Sequence, residues 1–205
     1  MRLRIAAWPV AMALLFVLGA KPQDREETEG LYDSVYRNCE HGWAVRLPPG
    51  VIAHGGDPRP AQHGFLISPP QPGTRKVLNL DAARLIDFYD DLDSTEIVSP
   101  RAYFDQYDKE APDGITPVVR KIQETTFRGM PALYVRLSKA GPEHRDETEQ
   151  IIAYHKPRGL GGIFYVLFLR STPKDFANDH ALFLKLQTGF RAYPERHGAC
   201  PEVKH

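Results

Sequence analysis

Histidines and carboxylates are the residues of this chain whose types could do chemistry. Eight histidines occur in 205 residues. Imidazole and carboxylate together can hold a transition metal or form a base with its orienting partner. The spacing gives neither outright. There is no HExxH and no histidine pair one helical turn apart. His54 and Asp57 lie in the loop HGGDPRP, and His63 follows it closely. Folding would have to gather these with His41 to make a metal site. The simpler reading, adopted here, is a set of surface loop residues with no metal bound. Asp87, Asp90, Asp91, Asp93 and Glu96 form an acidic run. A calcium loop of EF-hand type needs glycine at its sixth and glutamate at its twelfth position, and neither fits. The run reads as a solvated acidic edge.

Nucleophilic catalysis fares no better. No GxSxG occurs, and Ser68 and Ser138 sit at strand ends without an evident base. His144-Arg145-Asp146 echoes a kinase triplet but lacks the companion motifs. His63 or His155 with a nearby aspartate, such as Asp87 with His155, would make a hydrolase-type site only if the fold brought them together. Lys156-Pro157-Arg158-Gly159 is a basic turn, a solubilising hairpin tip or a contact for an anionic partner. The expectation is therefore a non-catalytic binding or assembly module with no cofactor. Its contact loops would carry His54, Asp57, His63, Asp90, Asp91, Asp93, Lys156 and Arg158. A hydrolase with a His/Asp site is the alternative. The net charge is zero and no basic stripe or RNA-binding aromatic motif is present, so nucleic acid is not an expected partner.

The elements that must position these residues are legible in part. Residues 42–47 (GWAVRL) alternate as a half-buried strand, stopped by Pro-Pro-Gly. Residues 63–68 (HGFLIS) form another, and 75–80 (RKVLNL) a further candidate. Residues 79–92 read as a helix capped by Asn79 or as a strand over 84–89. The alternation of Ile86 and Phe88 with Asp87 and Tyr89 favours the strand. Ser99-Pro100 opens a helix through Lys109, with serine as cap and proline where its missing N–H costs nothing. Four strands follow, over 118–127, 132–138, 148–155 and 163–171. Short turns join them, including one at Gly129-Met130-Pro131, so they form an antiparallel meander. The 163–171 run is apolar almost throughout and belongs in the centre of the sheet. Thr172-Pro173 starts a last helix, from Pro173 to about Thr188, with Phe176, Phe183 and Phe190 on a buried face. That strand-to-helix junction lacks the glycines of a phosphate site, and Asp175 would repel an anion.

The chain starts MRLRIAAWPVAMALLFVLGA, then turns charged. Two arginines, a short apolar stretch and small residues before a polar segment are the layout of a secretory signal. The apolar stretch is shorter than the roughly 20 residues of a membrane-spanning helix. Cleavage is the expected outcome and retention as an anchor the other. The mature chain, periplasmic or secreted, would begin with a linker over 21–38. A domain over 39–200 and a tail over 201–205 would follow. Only Cys39 and Cys200 occur. In an exported protein the expectation is a disulfide bond, with two unpaired thiols as the alternative. It would close a loop of about 160 residues, worth at most ~5 kcal/mol.

Three segments carry a family resemblance. Gly42-Trp43 through Pro48-Pro49-Gly50 opens the domain, Gly129-Met130-Pro131-Ala132 precedes a strand, and FYVLFLRSTPKDF with the closing LFLKLQTGFR ends it. In these the chain resembles the PsbP-like family. That family includes an extrinsic subunit of the photosynthetic oxygen-evolving complex, a nuclear-import factor that binds a small GTPase, and many exported bacterial proteins. The likeness is good over 118–191, fair in the first strand and poor between. It implies an α+β fold, an antiparallel sheet flanked by helices in an α/β/α sandwich. It implies no catalytic residue, and nothing in the chain marks a photosystem partner. The partner expected of an exported chain without a catalytic constellation is a protein or small molecule of the cell envelope.

Overall fold

The structure, a computed structural model, describes residues 30–55, 63–69, 84–93, 97–108, 117–140, 145–156 and 162–193. Its framework is the expected meander. Strands β7 (Val118–Phe127), β8 (Met130–Ala140), β9 (Arg145–His155) and β10 (Gly162–Ser171) pair antiparallel in succession. The two-residue turn between β7 and β8 is Arg128-Gly129, one residue earlier than the sequence suggests. Both residues have positive φ, 53° and 82°, as a tight hairpin turn of matching twist requires. Pro131 therefore lies within β8, opposite Thr126. Arg128 accepts the unusual conformation while its guanidinium donates to the Gln187 and Thr188 carbonyls, at 2.8 and 2.7 Å. Those carbonyls sit at a helix C-terminus, where a cation is favoured.

Strand β10 is central, as its apolar run requires. It lies between β9 and β6 (Leu85–Asp93), and the sheet continues through β5 (Gly64–Ile67), β4 (Ala53–His54) and β1 (Leu31–Tyr32). The strand reading of the ambiguous 79–92 segment holds from Leu85. It runs on to Asp93 because β10 pairs with it along its whole length, up to Gly162 opposite Asp93. A smaller sheet contains β2 (Val35–Asn38), β3 (Trp43–Arg46) and β11 (Phe190–Ala192). Residues 31–32 and 35–38, read from the sequence as linker, are thus strands, since Tyr32 and Tyr36 are buried. The candidate strand over 75–80 lies outside the described residues, as does the leader.

The large sheet buries both faces, and its two sides are covered differently. On one, Ile86, Phe88, Tyr165 and Leu167 pack against Tyr36, Trp43 and Phe190 of the small sheet and against Phe183 and Leu186 of α2 (Phe176–Gly189). On the other, Leu133, Val135, Ile152, Phe164 and Val166 meet Tyr103 and Phe104. Tyr103 ends the short α1 (Pro100–Tyr103), and a π-helical turn over Phe104–Asp108 follows. The antiparallel α+β sheet expected from the sequence is present. The described residues are mostly antiparallel sheet with two short α-helices, and a second sheet shares one covering layer with α2 because its aromatic side chains fill it.

Both helix starts follow the sequence signals, with one shift. The Ser99 hydroxyl accepts from the Ala102 N–H at 3.2 Å, and Pro100 opens α1. At the other junction Thr172 accepts from the Asp175 N–H at 3.2 Å, so it caps a turn over 173–175. Helix α2 begins three residues later than expected, at Phe176. The turn carries a buried network: Arg84 grips Asp179 of α2 through Nε at 2.7 Å and through Nη2, and Ser171 donates to the same carboxylate at 2.6 Å. An arginine fork on a carboxylate fixes direction as well as distance. It joins the start of β6, the end of β10 and α2. Asp179→Asn keeps the shape and removes the counter-charge nearest the buried Arg84, leaving Asp175 at 4.0 Å; denaturant unfolding should show a loss of about 3 kcal/mol.

Candidate functional site

The turn between β2 and β3 places the first half of the site. Asn38 bends the chain by accepting the His41 N–H at 2.8 Å, a short polar side chain closing a turn on the backbone ahead of it. Gly42 completes the turn at φ 64°. The Tyr165 hydroxyl donates to the His41 carbonyl at 3.2 Å. Burial, with the Asp90 charge nearby, holds that phenol well above its usual range, so it keeps its proton. His41 is thereby fixed with its ring pointing into the protein, 1% exposed.

Strands β5 and β6 place the second half. Side chains alternate along a strand, so Asp90 falls on the same face as Ile86 and Phe88, towards the small sheet. It is 3% exposed. Gly64 sits opposite Tyr89 with φ 154°, and a Cβ there would run into the Phe88 carbonyl and the Tyr89 backbone. Glycine lets β5 approach β6 closely at that point, and His63, the residue before it, reaches Asp90.

The result is a carboxylate with four donors. Asp90 Oδ2 accepts from Asn38 Nδ2 at 2.6 Å and from the Trp43 indole N–H. Its Oδ1 faces His41 Nδ1 in a short contact and His63 Nδ1 at 3.3 Å. The two imidazole rings lie 5.4 Å apart, centre to centre. Burial draws the His41 pKa down, but the hydrogen bond and charge of Asp90, aided by Glu40, outweigh it and the net shift is upward. His63 is the part of the cluster that meets solvent, its side chain 35% exposed.

The sequence-derived candidates separate. His63 and Asp90 come together, and His41 joins them as folding was required to do. Asp90 is not part of a solvated acidic edge: it is buried and hydrogen-bonded. Asp91 points to the other face and accepts from the Tyr103 hydroxyl at 3.0 Å. Asp93 ends β6, in strand and not in loop. His54 lies on β4 opposite Leu31 and Leu66, outside the cluster. Lys156 is exposed just beyond β9. Asp57, Arg158 and Cys200 lie outside the described residues, and Cys39 sits in the β2–β3 turn. Asp87 and His155 do not pair. Asp87 stands opposite Phe168 and His155 opposite Ile163, five residues or about 17 Å along the sheet. Asn38 and Trp43 were missed as donors. The available signal was the short polar residue three before His41, which marks a turn that aims the ring. A separate pair, His180 with the buried Glu149 at 3.2 Å, also had no sequence signature. Among the described residues no helix is long and apolar enough to cross a membrane.

No family model matches the sequence, and no curated protein matches it. Solved structures do. The solution structure of cyanobacterial PsbP from Synechocystis sp. PCC 6803 aligns with a TM-score of 0.53 at 11% identity, over 86% of this chain and 99% of that one. A crystal structure from Bacteroides thetaiotaomicron aligns at 0.44 with 10% identity, over 81% of this chain and 49% of that one. LpqN of Mycobacterium tuberculosis, described as involved in cell envelope biogenesis, aligns at 0.40 with 10% identity, over 83% and 88%.

Two outcomes follow from this geometry. Asp90→Ala leaves the buried Trp43 and Asn38 donors without their acceptor, about 1–3 kcal/mol each, so urea titration should show a loss of several kcal/mol. His54 supplies a pH effect. Burial lowers its pKa, so the folded state resists protonation that the unfolded chain accepts. Its contribution is present above the usual imidazole range and is lost as pH falls through the lowered value. Stability measured from pH 7.5 to 5 should therefore fall less steeply for His54→Gln than for the unchanged protein.

Proposed function

On the premise that this chain has a PsbP-like fold, we propose that it is an exported, non-catalytic binding or assembly module of the cell envelope. The observation that carries this reading is the state of Asp90. Its four partners hold it in place beneath the small sheet, and among the described residues of the cluster His63 is the one that opens to solvent. Side chains locked in this way form a rigid platform for surface loops, and rigid scaffolds presenting loops are suited to recognition. The contact surface is the rim around His63, with His54 on β4 near it in sequence. The signal-like leader supports export. The absence of a free cysteine among the described residues supports a bond between Cys39 and Cys200. The envelope is where such a bond persists.

One observation favours a second reading. His63 Nδ1 lies 3.3 Å from Asp90 while its ring reaches solvent, the relation of an orienting carboxylate to a general base. In that reading His63 is the base of a hydrolase-type site.

Crosslinking of the purified, oxidised protein to a cell-envelope extract, read by mass spectrometry, separates the two. The expected result is one dominant partner with crosslinks at the His63 rim. A substrate turned over at a saturable rate that His63→Gln abolishes would overturn the binding reading in favour of the second.

A further inference from the structure

We propose that His41, His63 and Asp90 form a binding site for one divalent transition-metal ion, of zinc or copper type. The inference goes beyond the binding-module reading and does not depend on it. Its basis is the way two imidazoles from different parts of the chain aim the same ring nitrogen at the same carboxylate oxygen. One ligand atom from each of His41, His63 and Asp90 lies within 4.8 Å of the other two, and Nδ1 of both rings contacts Asp90 Oδ1.

The spacing suits an ion. Ligands bonded to tetrahedral zinc at about 2.0–2.2 Å stand ~3.4 Å from each other, and His63 Nδ1 is 3.3 Å from Asp90 Oδ1. Two imidazoles on such an ion have ring centres about 5 Å apart, against the 5.4 Å found. The His41–Asp90 contact is tighter than a ligand pair and must lengthen for the ion to enter. The donor set is two imidazoles and one carboxylate, which suits zinc and copper better than calcium or magnesium, whose ligands are oxygens.

The outer shell is also built. Metal-ligating carboxylates are held by hydrogen bonds to their other oxygen, and ligating histidines face a further acceptor. Here the second oxygen of Asp90 is fixed by Trp43 and by Asn38 at 2.6 Å. The far nitrogen of His41, Nε2, faces the Glu40 carboxylate at 3.9 Å. Three protein ligands leave a tetrahedral ion one further position, and His63 brings solvent to that side. A water, or a donor atom from a partner docked at the rim, would complete the coordination.

The test is titration of the chelator-treated, purified protein with zinc chloride in a calorimeter, repeated with cobalt(II) followed by visible absorption. One ion per chain and the intense absorption of four-coordinate cobalt are expected. His63→Ala, at the exposed edge, should weaken binding at least tenfold and keep the circular dichroism of the fold. His155→Ala, on β9 away from the cluster, should bind as the unchanged protein does. Ring-nitrogen NMR supplies a readout independent of stability: Nδ1 of both His41 and His63 should shift on adding zinc. Failure of the unchanged protein to bind one equivalent would overturn the site. So would a His63→Ala variant that binds equally well, or NMR shifts confined to other histidines. Crosslinking to an envelope partner that persists in chelator would leave the binding-module reading standing while the metal site fell.

Discussion

A carboxylate between two sheets has no water to turn to, so its donors must come from the protein around it. Asp90 takes them from both sides. Asn38, His41 and Trp43 come from the small sheet and the turn within it, and His63 comes from beside the neighbouring strand of the large sheet. Leaving any of those donors unmade would cost more than a made bond contributes. The two sheets are therefore held in one relative position as well as in contact. Apolar packing alone sets a distance, and the stack of Trp43 on Phe190 with Tyr36 against Phe65 does that. The polar network adds register.

A second buried network works at the opposite end of β6. Arg84 precedes the strand and Asp90 comes late in it, so β6 is anchored by polar bonds near both ends. Arg84 reaches α2 through Asp179, and Asp90 reaches the β2–β3 turn. Both elements belong to the same covering layer. The other face, beneath α1 and the π-helical turn, has a lighter polar tie in Tyr103 to Asp91. Buried polar networks rigidify as their members are satisfied, and the layer containing α2 and the small sheet is tied to β6 by two of them.

Much of the scaffold was legible because its signals are local. The four-strand meander, the central position of β10, the Ser99-Pro100 helix start and the Thr172 cap each rest on a few neighbouring residues. Local reading failed where long-range pairing decided the outcome. Short strands β1 and β2 looked like linker because two and four residues carry little periodicity. The turn at Arg128-Gly129 was displaced by one residue because an arginine took a left-handed conformation, held by carbonyls some sixty positions away. The acidic run was misjudged for a different reason. Its alternation continued from Ile86 and Phe88 to Asp90, but a charged residue in that phase reads as surface unless its partners are known.

The sequence by itself determined the strand-rich meander, the Ser99-Pro100 helix start and the alternation of faces along each strand. Steric preference, capping chemistry and the two-residue period act within a few positions, so these follow from neighbours. Only the tertiary structure decided that Asp90 is buried, that His41 and His63 meet upon it, and that Asp87 and His155 do not meet. Those outcomes depend on which strands pair and in what register. Residues 49 and 27 positions from Asp90 in the chain are brought within bonding distance by the summed burial of the whole core, and no spacing within a single segment encodes that.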